Sequence, residues 1–257
     1  VAVDSSGNVY VASRSGGLVN FGNGITASGH GGFDITLGKF GSAAGVTSWG
    51  KTYGGTATDN SNALAVDTDG NVLVTGSVST GTVDFGGGNV SAGGIFIAKY
   101  LGTDGSYVWV NNPGGAAAST GNSITTDPVT KNVIASGTLN GTIDFGGGSR
   151  VTVATSAFMV GYNTSGTYIW DKVIKGADSF STAFGFSVGM DGSGNIALGG
   201  QVFGVVSVDG NVFHGNPAAC YLLTVFTSTG SSPPVYKWGR DGSIGGESHC
   251  QGVDFDP

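Results

Sequence analysis

Apolar residues along this chain fall in runs of four to six, alternating or continuous, cut off by clusters of Gly, Asn, Asp and Ser. Leu64-Ala65-Val66-Asp67, then Thr68-Asp69-Gly70-Asn71, then Val72-Leu73-Val74-Thr75-Gly76 shows the pattern best. The apolar runs have the length and composition of strands, and the cluster between them has the chemistry of a tight turn. An antiparallel hairpin is predicted there. Two more strands are predicted at Phe96–Tyr100 and Tyr107–Val110, joined by a turn over Gly102–Ser106. With Leu64–Asp67 and Val72–Ser77 they make one four-stranded unit. No window sustains a helical period, so almost no helix is expected.

The unit recurs. Asp4, Asp67, Asp127, Asp191 and Asp256 each follow a short apolar run, at intervals of 63, 60, 64 and 65 residues. Trp49, Trp109, Trp170 and Trp238 keep step with them. Between the second and third strands lie Phe21-Gly22, Asp84-Phe85-Gly86-Gly87-Gly88 and Asp144-Phe145-Gly146-Gly147-Gly148. That segment reads as an edge ribbon or an ordered loop. The fourth copy has drifted, with Ser207-Val208-Asp209-Gly210 in its place. Four landmarks in constant order mark a tandem repeat. The repeats span 1–63, 64–123, 124–187 and 188–252, with the start of a fifth at 253–257.

Four-stranded antiparallel sheets repeated at this period predict an all-β fold, a β-propeller with four blades and the first strand of another. A blade cannot bury both faces alone. Phe85, Phe96, Tyr100 and Trp109, with Phe145, Phe158, Tyr162 and Trp170, are the expected fillers between sheets. The residues Thr56 to Asn62 read as a polar loop, and Lys39 and Lys99 as packing stems with exposed heads. Because both ends carry first-strand sequence, the chain reads as part of a longer one.

Composition narrows the classes. Gly accounts for 50 of 257 residues, without the every-third spacing of collagen, and 39% of residues are hydrophobic, enough for a sizeable core. Among 17 acidic residues only Glu247 is not Asp, a choice that favours turns over helices. The net charge of −7 argues against nucleic acid as a partner. No apolar run is long enough to span a membrane as a helix.

The residues Ala65 to Gly76, Val83 to Gly88, Phe96 to Tyr100, Gly105 to Trp109 and Gly114-Gly115 together resemble the bacterial β-propeller repeat called SBBP. The resemblance covers the whole chain and is closest in the second repeat. It implies a large secreted or surface-attached bacterial protein with tandem blades, and no settled activity, cofactor or site.

Candidate chemistry is sparse. Asp67, Asp69 and Asn71 place oxygens at alternate positions with a Gly between, as the start of a Ca²⁺ loop does. The later ligands of such a loop are missing, and Asp, Gly and Asn already suit the turn. Ca²⁺ is therefore the one cofactor considered. Asp84 and Asp144 recur and read as turn caps. Arg240, Glu247 and His249, near the start of the fifth first strand, are unique to one repeat and form the expected ligand-contact loop. A Cys-His or Glu-His pair there could do nucleophilic or acid–base work. His30 and His214 lie in the segments between strands. Cys220 and Cys250 are the only cysteines, and either a disulfide or two buried thiols fits them.

Three functions are consistent with this pattern. The first is a non-enzymatic extracellular or cell-surface scaffold or adhesion module, contacting protein or glycan or associating with itself. The second is a lectin-like propeller with sugar pockets between blades. The third is a propeller polysaccharide lyase or hydrolase. No catalytic residue is assigned.

Overall fold

The computed structural model describes residues 1–114, 119–242 and 248–255, and of 216–218 the backbone only; every regular element among them is a β-strand. Gly115, Glu247 and Asp256, singled out above, lie outside the described residues. The chain forms two compact units, Val1–Ala117 and Ala118–Pro257.

In the first unit, β1 (Ala2–Val3), β2 (Val9–Gly16), β3 (Val19–Gly22), β4 (Ile25–Ala27), β5 (Phe33–Phe40) and β6 (Thr47–Gly55) come from the first repeat. The second repeat supplies β7 (Asp59–Val66), β8 (Val72–Asp84), β9 (Asn89–Tyr100) and β10 (Tyr107–Gly114). Pairing is antiparallel throughout: β1-β2-β5-β6 forms one meander and β7-β8-β9-β10 the next. The two meanders join into one sheet where Gly54 and Gly55 pair with Asp84 and Val83.

The second unit repeats this plan. Its strands are β11 (Thr120–Thr126), β12 (Val133–Leu139), β13 (Thr142–Asp144), β14 (Ser149–Val151), β15 (Ser156–Tyr162) and β16 (Tyr168–Gly176), then β17 (Thr182–Met190), β18 (Asn195–Val208), β19 (Asn211–Thr227) and β20 (Val235–Gly242). The meanders are β11-β12-β15-β16 and β17-β18-β19-β20, linked where Lys175 and Gly176 pair with Ser207 and Val206. Four consecutive four-stranded antiparallel meanders, one per sequence repeat, are thus present, joined in pairs into two eight-stranded sheets.

One expectation needs correction, and one left open is decided. The polar stretch before Leu64 is not all loop, because β7 begins at Asp59, and Asn60 and Ser61 pair with Ser77 and Gly76. Polar side chains are tolerated in this strand because they find partners. Ser61 donates to the Ser13 carbonyl at 2.7 Å, and Asn60 accepts from Arg14 at 2.9 Å. The sheets accordingly start a few residues before 64, 124 and 188. Of the two forms open for the Asp-Phe-Gly segment, the ribbon is the one found, with Phe85 to Gly88 and Phe145 to Gly148 as the bends at its tips. In the second repeat β8 and β9 extend to its edges, with Asp84 opposite Asn89, whereas in the third β13 and β14 form a separate two-stranded piece.

Each unit has its own apolar core. The eight aromatic fillers named from the sequence are all buried. Tyr53 of β6 stacks on Tyr100 of β9 at 4.5 Å, and Phe85 meets Phe96 at 5.3 Å. Each such ring removed from water contributes about 1.5–3 kcal/mol. Polar tips fasten the first meander to the turns of the second. Trp49 donates its Nε1–H to the Gly102 carbonyl at 3.1 Å, and the Tyr53 hydroxyl donates to the Gly105 carbonyl. Residue 102 must be glycine, since a Cβ there would stand 1.6 Å from the Gly70 carbonyl oxygen.

In the second unit the Val188 amide donates to Ser123 Oγ at 3.1 Å, and the Val253 amide donates to Ser187 Oγ at the same distance. Val253 therefore docks on β17 as β17 docks on β11. Trp238 in the drifted fourth repeat is 41% exposed, while Trp49, Trp109 and Trp170 are buried.

Candidate functional site

A cleft of about 470 Å³ lies in the first unit, at the turn end of its two meanders. Two copies of the same turn, Asp4 to Asn8 and Asp67 to Asn71, form its walls. Local chemistry builds both. Asp4 Oδ1 accepts the amides of Ser6 and Asn8, each at 2.9 Å, and Oδ2 accepts Asn8 Nδ2 at 2.9 Å. Asp67 does the same with the amides of Asp69 and Asn71 at 3.0 and 2.8 Å and with Asn71 Nδ2 at 3.1 Å. An Asp side chain folding back on its own following amides pins a turn without help from the rest of the fold.

Charge completes the cleft. Lys99 Nζ lies 2.9 Å from Asp67 Oδ2, and both side chains are buried. Lys99 therefore does not carry an exposed head, contrary to expectation, because the turn carboxylate draws its ammonium inward. Lys39 is placed similarly, 4.0 Å from Asp4 Oδ2, donating to the Gly102 carbonyl at 3.0 Å and lying over the Tyr10 ring. Burial alone would raise the Asp67 carboxyl, but the bonds from Lys99 and Asn71 outweigh it and hold the group below the usual carboxylate range. Burial and the Asp4 carboxylate push the Tyr10 hydroxyl up to about 12, so it stays a donor at neutral pH.

The donor set bears on the Ca²⁺ candidate. Both oxygens of Asp67 already face N–H groups, one of them an ammonium, an arrangement that holds hydrogen-bond donors rather than a cation. Asp69 contributes its amide to this turn and its side chain is exposed. Asn71 directs its Nδ2, a donor, at Asp67. Among the described residues no group of three or more His, Cys, Asp or Glu is arranged to hold a metal ion.

Of the ligand-contact loop expected at Arg240, Glu247 and His249, the structure describes Arg240 and His249. Arg240 is on β20 and donates to the Gly239 carbonyl at 2.9 Å. His249 is exposed, with its ring 6.2 Å from that of Phe186 on β17. Glu247 is outside the described residues. His30 donates its amide to Asp34, and His214 its amide to Asp241 at 2.5 Å, at separate places.

Cys220 and Cys250 are thiols, not a disulfide. Cys220 is buried on β19 opposite Val202, within the core of the second unit. Cys250 hydrogen bonds through its amide to the Gly200 carbonyl and directs its thiol at the Gly252 carbonyl, 3.7 Å away. Burial pushes the Cys250 thiol up, the opposite of what a thiolate nucleophile needs.

The caps read from Asp84 and Asp144 have clear geometry. Each Oδ1 accepts the amides two and four residues on, at 2.7 and 3.1 Å for Asp84 and 2.8 and 3.0 Å for Asp144. Sequence reasoning passed over Asp34 and Asp59, which are fully buried in the first unit. Their signal was available: Asp34 breaks the repeat, where the later copies have Gly94, Ser156 and Cys220.

No protein-family model matches the chain, and no curated protein matches it.

Proposed function

We propose that this chain is a non-enzymatic binding or scaffold module, built as tandem blades of an extracellular or cell-surface β-propeller of the SBBP-like kind. What carries the reading is the use made of the recurring acidic residues. Asp4, Asp67 and Asp191 each hold the two amides of their own turn, and Asp127 holds those of Val129 and Thr130. Such carboxylates are committed to architecture and are poorly placed to move protons. Four meanders in sequence order, and the matched docking of Val188 and Val253, support the propeller. The acidic net charge speaks against nucleic acid as a partner.

A lectin-like role is the second reading, and the cleft between the Asp4 and Asp67 turns favours it. Its walls offer carboxylate, amide, ammonium and backbone groups, the mixed donors and acceptors that a hydroxyl-rich ligand needs. The experiment is a glycan array and a panel of glycoside hydrolase and lyase substrates, run on the wild type, Lys39→Ala and His249→Ala. Binding without turnover, weakened in Lys39→Ala, is the result expected of the lectin. No binding and no turnover leaves the scaffold. Turnover that disappears in His249→Ala would overturn both.

A further inference from the structure

Residues paired directly across antiparallel strands point to the same face, so the register assigns side chains to the two faces of each meander. Tyr10, Lys39 and Trp49 form one cross-strand row in the first meander, and Ala197, Val225 and Trp238 form the matching row in the fourth. Within each unit the Trp-bearing face of one meander packs on the opposite, Phe-bearing face of the next. In the first unit Tyr10, Trp49 and Tyr53 share a core with Phe85, Phe96 and Tyr100. In the second, Met159 and Trp170 share one with Leu198, Phe213 and Phe226. One interface is thus built twice.

Both halves of that interface occur once more, less covered. On the first meander Phe21, Thr36 and Phe40 hold the places of Phe85, Phe96 and Tyr100. With Val11, Val19 and Gly38 they line an open, mainly apolar cleft of about 210 Å³. Val11, Phe21 and Phe40 are half-buried, whereas their counterparts Val74, Phe85 and Tyr100 are buried. The turns differ in the same way. Gly102 and Gly105 are buried against Trp49 and Tyr53, but the matching residues 42–46 are exposed, Val46 by 54%. On the fourth meander Trp238 is 41% exposed and Arg240 beside it is exposed too, while Trp49 and Trp170 are 5% and 2% exposed.

We propose that the Phe21 face of the first meander and the Trp238 face of the fourth are the two halves of an interface through which copies of this chain join head to tail. A surface that fits the Phe21 face must bring a projecting indole to the turn at residues 41–46, and the Trp238 face has one. Trp49 donates to the Gly102 carbonyl, and the residue matching Gly102 in the first meander is Ser42, whose carbonyl is the counterpart acceptor for Trp238 of another copy. Two different faces meet, so the contact is heterologous. A Trp anchor in an apolar cleft is the usual centre of such an interface. The inference rests on the packing within each unit and not on the function proposed above.

The test is sedimentation velocity over a concentration series for the wild type, Trp238→Glu, Val11→Lys, Val46→Lys and the control Val129→Glu, which alters an exposed residue of the turn after Asp127. The wild-type mass should rise with concentration beyond that of one chain. Trp238→Glu and Val11→Lys should each raise the Kd about tenfold or more, Val46→Lys by less, and Val129→Glu should leave it unchanged. Thermal melting checks that each variant folds, and Val46→Lys, at an exposed position, keeps the Phe21 face testable should Val11→Lys not fold. Mixing Trp238→Glu with a lysine variant should give a one-to-one complex, because each supplies the face the other lacks. The proposal is overturned if the wild type sediments as one chain at every concentration, in which case the faces belong to a different partner. It is also overturned if association survives Trp238→Glu, or if the mixed, folded variants stay apart.

Discussion

Asp67 and Asp127 open the same turn in successive repeats, one in each unit, yet they are secured differently. Asp67 holds a buried ammonium, Lys99, from the third strand of its sheet. The residue aligned with Lys99 in the third repeat is Gly161, over which the Trp170 ring lies, and Asp127 is met instead by the Thr130 hydroxyl of its own turn at 2.5 Å. The first unit buries its charges, at Asp67 with Lys99 and at Asp34 with Asp59. The second unit has Ser156 and Ala183 at the latter positions, and its ion pairs join β16 to β14 and to the turn between β18 and β19. There Arg150 meets Asp171 at 2.7 Å and Lys172 meets Asp209 at 2.6 Å. One topology thus tolerates two electrostatic solutions, because the backbone ladder and the ring packing define the sheet whichever is used.

The largest expected effect is on the buried pair. Lys99→Met leaves Asp67 charged in a site without a counterion, and should cost about 3–5 kcal/mol. Hydrogen exchange should show the lost protection in β7–β9. The double variant Lys99→Met/Asp67→Asn should recover much of it. A loss below 1 kcal/mol in the single variant would mean that the pair is no stronger than a surface one.

Next is Gly54→Ala. Its methyl group would collide with Asp34 Oδ1, and about 1–3 kcal/mol is expected from the forced shift. Lys175 holds the corresponding place in the second unit, pairing with Ser207 as Gly54 pairs with Asp84. Lys175→Ala should change stability by no more than about 0.5 kcal/mol. Equal effects on denaturant midpoints would refute the difference between the units.

The pH response separates them further. Burial raises the Asp59 carboxyl, with the Asp34 charge adding to it and the Gly55 and Ser79 amides and His30 opposing. The folded state then binds this proton more readily than the unfolded chain. Stability should rise as pH falls from neutral through the raised value toward 3.8. Asp67 has the opposite sign. Its contribution is present above the unfolded value near 3.8 and is lost as pH falls through its depressed one. Urea titrations across pH should therefore pass through a maximum in the acid range. Asp59→Asn should flatten the rising limb, whereas Ser181→Ala leaves it in place.

The smallest effect belongs to the outer ion pair. The Asp209 carboxylate is substantially exposed, so Lys172→Met should cost less than about 1 kcal/mol and less still in high salt. A larger loss would mean that this pair acts as a buried one despite its exposed carboxylate.

Much of this fold was legible along the chain. Leu64 to Gly76 is a hairpin because its apolar runs and its Asp-Thr-Asp-Gly-Asn cluster act over a few residues, and Asp84 caps a turn using amides two and four residues on. Other features were hidden because their partners are remote. Asp59 to Asn62 looked like loop, since polarity alone cannot show that Ser13 and Arg14 wait opposite.

By itself the sequence determined the strands, their antiparallel order, the turn chemistry and the eight buried aromatic rings, because these depend on local periodicity and on apolar surface leaving water. Only the tertiary structure decided where the charges go. Lys99 turned inward to Asp67, Cys220 and Cys250 remained thiols, and Asp34 met Asp59 across Gly54. Electrostatic and covalent pairing depends on distances of a few ångströms between residues far apart in the chain, and no repeat pattern records those distances.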